Sequence, residues 1–213
     1  SKEQLQELLK YKVDDWDDLI PEVTPLLEAV ATEGAEKYLL RFGITGAKNK
    51  TLWTKVLDQA SEMARTRSAE LVGKRILANG KIVDNPDAKW AITDTTRNDL
   101  CELASSAVDK GWTVNQLQHE IVGHESFSPA RALTISRTEK AFASSRGEKL
   151  AAKGVGMKWK ELIPAENDCD ECQECADEGR ILIDQDFVSG DDAPPIHPSC
   201  RCSCGYYETE DGD

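Results

Sequence analysis

The chain has 213 residues, with 26 Lys and Arg against 39 Asp and Glu and a formal net charge of −13 at pH 7. That length holds a domain of ordinary size and buries a core without disulfide staples. So acidic a chain is ill suited to nonspecific duplex binding or to an anionic membrane surface, both of which need clustered Lys and Arg.

The chain opens on Ser1-Lys2-Glu3-Gln4, a charged start with no apolar signal region, and its apolar runs are too short for a transmembrane helix. A soluble protein made in a cytoplasm is expected. Leu5, Leu8 and Leu9 suit a short helix over residues 3–11, interrupted by Pro21 and Pro25. Thr24-Pro25 reads as a helix start, with Thr as N-cap and Pro at the first helical position. Leu27, Val30, Ala31, Tyr38 and Phe42 form its apolar stripe, and Gly43 suits the position past its end. Leu52, Trp53, Val56, Leu57, Ala60, Met63, Ala64, Leu71 and Val72 recur at steps of three and four. That spacing predicts a second long helix ending near Asn79-Gly80, followed by a turn at Asp84-Asn85-Pro86.

Thr93 or Asp94 can cap a third helix carrying Leu100, Leu103, Ala104, Ala107 and Val108 up to Gly111. On it Cys101 reads as a small buried hydrophobe. Thr113-Val114-Asn115-Gln116 has capping-box spacing and opens a short helix that Gly123 ends. Ser128-Pro129 starts another, running through Leu133, Ile135, Phe142 and Leu150 to Gly154, with Gly147 as a potential break. Short connections predict an antiparallel bundle.

Past Gly154 the period changes. Val155, Met157 and Trp159 alternate with Gly156, Lys158 and Lys160, a half-buried strand pattern, and residues 180–183 and 206–207 suit two more short strands. Residues 161–213 carry 16 acids against only Arg180 and Arg201, and six of the seven cysteines. The expected plan is mainly α: a helical bundle over 1–154, a small Cys/His-rich α+β module with a short hairpin over 155–204, and an acidic tail over 205–213. The module has too little apolar content to hold itself together unaided.

The module reads Cys169-x2-Cys172-x2-Cys175, then 21 residues, then His197-x2-Cys200-x-Cys202-x-Cys204. Two soft-ligand clusters at the ends of a short loop suit a structural tetrahedral zinc site, with Cys169, Cys172, His197, Cys200 and Cys202 as candidate ligands. Disulfides or free thiols are the competing account, opposed by the expected reducing compartment. An Fe–S cluster has the ligand type but no matching spacing.

Other patterns carry less. In His119-Glu120-Ile121-Val122-Gly123-His124 the histidines stand five apart rather than the four of a zinc protease, so surface histidines near a helix end are expected. His197-Pro198-Ser199-Cys200 lacks the upstream His-x-Glu and the Pro-Cys-x-x-Cys of a zinc deaminase. No phosphate loop, nucleophile elbow or defensible acid–base set is present, so no catalytic residue is assigned. Arg137-Thr138-Glu139, read alone, is a solvated helix face pairing locally.

The ordered set Arg131-Ala132, Ile135-Ser136-Arg137-Thr138-Glu139, Gly154-Val155, Lys158-Trp159, Cys169-x2-Cys172, Gly179 and His197-Pro198-Ser199-Cys200-Arg201-Cys202 resembles the phage Mu protein F-like family of head-morphogenesis or minor head proteins. Cys175 and Cys204 are extra to its pattern, and Glu166-Asn167-Asp168 lacks the Arg usual before the first Cys. The resemblance implies a non-enzymatic virion protein, made in the host cytoplasm and placed inside the capsid. Its implied partners are portal or major capsid protein, or a further copy of itself. It implies a family-motif role for Arg137, Thr138, Glu139 and Trp159, with Arg137 and Glu139 fixing their helix against the metal module or a neighbouring subunit. No membrane contact and no tight DNA binding are expected. The competing classes are a zinc-stabilised nucleic-acid-binding module, disfavoured by the acidic tail, and a metal-dependent hydrolase or toxin-like effector.

Overall fold

The computed structural model describes residues 19–92, 96, 99, 102, 103, 106, 107, 110–166 and 168–210. The helix expected over 3–11, the caps Thr93 and Asp94, and Cys101 lie outside them. The fold is mainly helical: α1 (Leu19–Arg41), α2 (Lys50–Leu71), α3 (Val114–Gly123), α4 (Pro129–Gly154) and α5 (Asp170–Asp177). The strands are β1 (Lys74–Ile76), β2 (Ile82–Asp84), β3 (Trp159–Ile163), β4 (Ile181–Leu182) and β5 (Ser203–Tyr207). The described positions from 96 to 110 are helical, where the third helix is expected. No helix among the described residues is long and apolar enough to cross a membrane.

Two compact units result. Of the described residues, the first holds those within 66–133 together with 19–24, and the second holds 25–65 with those within 134–210. The division differs from an expected boundary at residue 154, because the second unit joins helical residues to the Cys/His segment. Its main core draws Ala35, Tyr38 and Leu39 from α1, Val56 from α2 and Ala151 and Ala152 from α4. Met157 and Ile183 complete it. Through Met157 and Ile183 the segment after residue 154 shares an apolar core with these helices.

In the first unit, Ile20, Ala69 and Val72 pack together with Ile76 against them. The helix α2 stops at Leu71, earlier than its apolar spacing predicts, because Gly73 takes φ +68°. Beyond it the chain forms an antiparallel hairpin, β1 against β2, with Arg75 opposite Val83. Asn79-Gly80 turns it, Gly80 taking φ +82°, so this pair closes a hairpin instead of ending a helix. The helix α3 carries the expected capping box: Thr113 Oγ1 accepts from Gln116 N, and Gln116 Oε1 accepts from Thr113 N at 2.8 Å.

The chain is already helical at Leu19, before the expected cap. The Thr24 hydroxyl donates back to the Ile20 carbonyl at 2.6 Å, and Pro25 sits inside the helix, omitting one rung of the hydrogen-bond ladder. Ser128 caps α4, its Oγ accepting from Arg131 N at 3.2 Å. The helix then runs unbroken through Gly147. That glycine is a packing device rather than a break: a Cβ there would lie 2.0 Å from the Ala31 carbonyl oxygen of α1. Gly34 repeats the arrangement, a Cβ there falling 2.6 Å from the Ser144 carbonyl oxygen.

The second sheet has the order β4-β3-β5, all antiparallel. Residues 155–158 form the turn out of α4, with Gly156 at φ +98°, so the strand begins only at Trp159. This reverses the expected phase. Lys160 and Leu162 face inward, while Trp159 and Glu161 are half-buried. The first residues of the expected acidic tail are strand, since β5 reaches Tyr207.

Candidate metal centre

The site forms where α5 and the loop after β4 meet. Cys169 stands at the N-cap of α5, and Asp170 and Glu171 in the first turn complement the helix dipole. One turn on, Cys172 is buried. Sequence spacing predicts only a Cys-x-x-Cys turn here, and the structure makes it a short helix, whose signal is a pair of acids followed by cysteines three apart. Around the thiols, Leu162, Ile181, Phe187 and Ile196 pack with Cys172, Cys175 and Cys200 in a second small core.

The other half is a tight turn, His197-Pro198-Ser199-Cys200. Cys200 N donates to the His197 carbonyl at 3.1 Å, and Ser199 takes φ +65°. A proline in the second position and a positive φ in the third are the marks of a type II turn. It sets the imidazole of residue 197 and the thiol of residue 200 at its two ends. The His197 Nδ1 lies 2.9 Å from the Pro198 carbonyl oxygen, which can only accept, so Nδ1 carries the proton and Nε2 presents a lone pair.

The five residues expected from the sequence fall into two overlapping groups of donors. Cys169, Cys172 and His197 form one group able to hold a metal ion, and Cys172, Cys200 and Cys202 form a second, with Cys172 common to both. His197 Nε2 lies 3.2 Å from Cys169 Sγ and 3.3 Å from Cys172 Sγ, and Cys172 Sγ lies 3.7 Å from Cys200 Sγ. Around a tetrahedral ion of zinc size, the sulfur–sulfur edge is about 3.8 Å and the sulfur–nitrogen edge about 3.6 Å. The residues therefore fit a small, soft-ligand dication. The six described cysteines are all free thiols.

Electrostatics agree. Burial pushes the Cys172 thiol far above its ordinary range, and its contacts with Cys202, Cys169 and Cys200 push it further. Burial likewise raises Cys202. Crowded thiols of this kind do not ionise together in isolation, and the charge of a bound dication reverses that preference. Cys175 and Cys204 fall outside both groups. Cys175 is wholly buried in the apolar cluster, and burial raises the Cys204 thiol to about 12.

Helix α4 grips the loop leading to His197. Asp192 takes Arg146 Nη2 at 2.8 Å and Lys149 Nζ at 2.9 Å on its carboxylate, while Lys160 Nζ donates to its backbone carbonyl at 2.6 Å. Arg146 Nη1 also donates to the Pro194 carbonyl at 3.1 Å. Burial pushes the Asp192 carboxyl up, but Arg146 and Lys149 outweigh it and hold it below the usual carboxylate range. Replacing Asp192 by Ala takes a carboxylate from these cations. The expected cost is about 1–3 kcal/mol, tempered by the partial exposure of the pair and read from urea unfolding. An unchanged midpoint would count against the grip.

Lys160 is fully buried, its ammonium 4.6 Å from the Phe187 ring centroid. Burial, then the Lys149 charge, lowers it from the ordinary 10.5 to about 8. The folded state therefore sheds this proton first, so the contribution to stability is present above 10.5 and lost as pH falls through about 8. Between pH 8 and 10.5 the wild type is expected to gain roughly 2–3 kcal/mol relative to Lys160→Met. A flat difference across that window would contradict this.

Of the motif residues, Thr138 reaches the metal loop: its Oγ1 accepts from Ser199 N at 3.0 Å. Arg137 is exposed, Glu139 is buried, and Trp159 is half-buried at the start of β3, opposite Leu182 and Tyr207. His119 is exposed, and His124 caps the following turn, its Nδ1 accepting from Ser126 N at 3.3 Å. The family model described as Phage Mu protein F like protein matches residues 98–204, half of the chain, including the motif helix and every candidate ligand. No curated protein and no solved structure matches.

Proposed function

Because the chain belongs to the phage Mu protein F-like family, we propose that it is a non-enzymatic minor head protein, held inside the capsid against portal or major capsid protein during prohead assembly. The family is one of phage head-morphogenesis proteins, and membership over residues 98–204 is the observation that carries the reading. In this reading the ion is zinc, and its role is architectural. Bound zinc would supply folding free energy to a small segment whose apolar cluster is partly made of cysteines.

A catalytic zinc keeps one coordination position open to water or substrate. Here two groups of donors share Cys172 and together offer five side chains, more than four positions need, which favours a closed site. The charge supports a protein partner. The strongly acidic stretch over 161–213 is repelled by packaged DNA and attracted to basic protein surfaces, and both effects weaken at high salt. The full chain is expected to bind duplex DNA no better than an acidic control protein at physiological salt; tight binding would contradict the reading.

Quantitative mass spectrometry of purified proheads and mature virions from the source phage or induced prophage tests the role itself. A few to a few tens of copies per particle are expected, and the ratio between the two particles says whether the protein is retained. Absence from both would remove the head-protein reading.

A further inference from the structure

We propose that Thr138 is a positioning residue for the metal-binding turn, acting through the backbone of Ser199. The inference rests on the reading of the Cys/His cluster as a metal centre and adds to it a residue of α4 that touches no ligand atom. His197 and Cys200 are the two ends of one turn, so the separation of His197 Nε2 and Cys200 Sγ depends on the turn's third residue. That residue is Ser199, at φ +65°, where an L side chain is strained and glycine is at ease. A relaxation of Ser199 to negative φ would rotate the flanking peptides and draw the two ligands apart.

The Thr138 hydroxyl opposes that relaxation. It donates to the Thr134 carbonyl one turn back at 2.8 Å, which fixes its rotamer and leaves a lone pair for the Ser199 N–H at 3.0 Å. Thr138 is only 4% exposed, so water does not readily replace the bond if the turn flips. The Arg146, Lys149 and Lys160 contacts at Asp192 and Pro194 hold the loop before the turn. Thr138 holds the turn itself. Outer partners that orient ligands in this way are worth about 10–100-fold in metal affinity.

The test is cobalt(II) titration of the full chain, read from its ligand-field and thiolate bands, with zinc affinity taken by competition. The variants are Thr138→Val, Thr138→Ser, Ser199→Gly and the double variant Thr138→Val with Ser199→Gly. Thr138→Val, equal in size but without the hydroxyl, is expected to bind about tenfold more weakly. Thr138→Ser keeps the hydroxyl and is expected to bind like the wild type. Glycine holds a positive φ unaided, so Ser199→Gly alone should match the wild type, and in the double variant it should restore most of the lost affinity.

Wild-type affinity in Thr138→Val, with melting temperature lowered equally in the metal-loaded and chelated protein, would make Thr138 merely structural and overturn the proposal. So would a double variant as weak as Thr138→Val alone. If Thr138→Val fails to fold, the other single variants still decide: a tenfold loss in either Thr138→Ser or Ser199→Gly would overturn it. A wild-type chain that binds neither cobalt nor zinc would overturn the metal centre and this inference together, whereas equal binding by wild type and Thr138→Val overturns this inference alone.

Discussion

Chelation of the metal-loaded protein is expected to open the stretch from about residue 164 to 202 to proteases while leaving most of the helical circular dichroism in place. The reason is the distribution of helix and apolar burial. The helices α1, α2 and α4 pack through Ala35, Leu39, Val56, Ala151 and Ala152 without any cysteine. The ligand segment relies on a small cluster of which Cys172, Cys175 and Cys200 are themselves part. Among the described residues of that stretch only the eight of α5 are helical, so the dichroism lost with them is slight.

Cys172→Ser should reproduce the effect most strongly, because Cys172 belongs to both groups of donors. Its metal affinity is expected to fall about 100-fold or more, beyond the range typical of outer partners. Cys169→Ser and Cys202→Ser each touch one group and should fall short of it. Cys175→Ser is the control: it places a hydroxyl in an apolar site and costs stability, yet leaves both groups of donors whole. A protease pattern indifferent to chelation and to Cys172→Ser would contradict the account.

The second large effect is expected from Gly147→Ala. A Cβ at this position meets the Ala31 carbonyl oxygen at 2.0 Å, a backbone atom of another helix that no rotamer change can move aside. The helices must separate along a core that includes Ala35 and Ala151. The expected loss is about 3 kcal/mol, net of the roughly 1 kcal/mol by which alanine favours a helix over glycine. For a chain of this size it corresponds to a fall in Tm of about 6–12 °C. Gly123→Ala is the matched control, since a Cβ there meets nothing within 4 Å. Equal melting of the two variants would mean that α1 and α4 do not approach as described.

The helix ends written in local chemistry were legible. Thr113 with Gln116, Ser128 with Pro129, and Gly43 each stop or start a helix by bonds to near neighbours, which sequence spacing encodes directly. The two donor clusters were legible for a related reason: thiols and an imidazole at the two ends of one loop have few other uses. Gly147 was not legible, because a glycine that breaks a helix and one that admits a neighbouring helix look alike until the neighbour is known. The phase of β3 failed on Lys160, a charged residue that faces inward because Asp192 and Phe187 receive it from across the fold. The hairpin of β1 and β2 hid behind the apolar stripe of α2, although Gly73 and Asn79-Gly80 marked it. Thr138 looked like part of a solvated triplet. Its partner Ser199 lies 61 residues away, a separation no local pattern spans.

The most direct test of the central claim, a closed four-coordinate ion held by the Cys/His cluster, is metal content of the protein purified without added metal, joined to X-ray absorption at the zinc edge. One zinc per chain is expected, with sulfur neighbours at about 2.3 Å and a nitrogen neighbour at about 2.1 Å and no water in the first shell. A metal-free protein with reduced thiols, or an ion carrying a coordinated water, would contradict it.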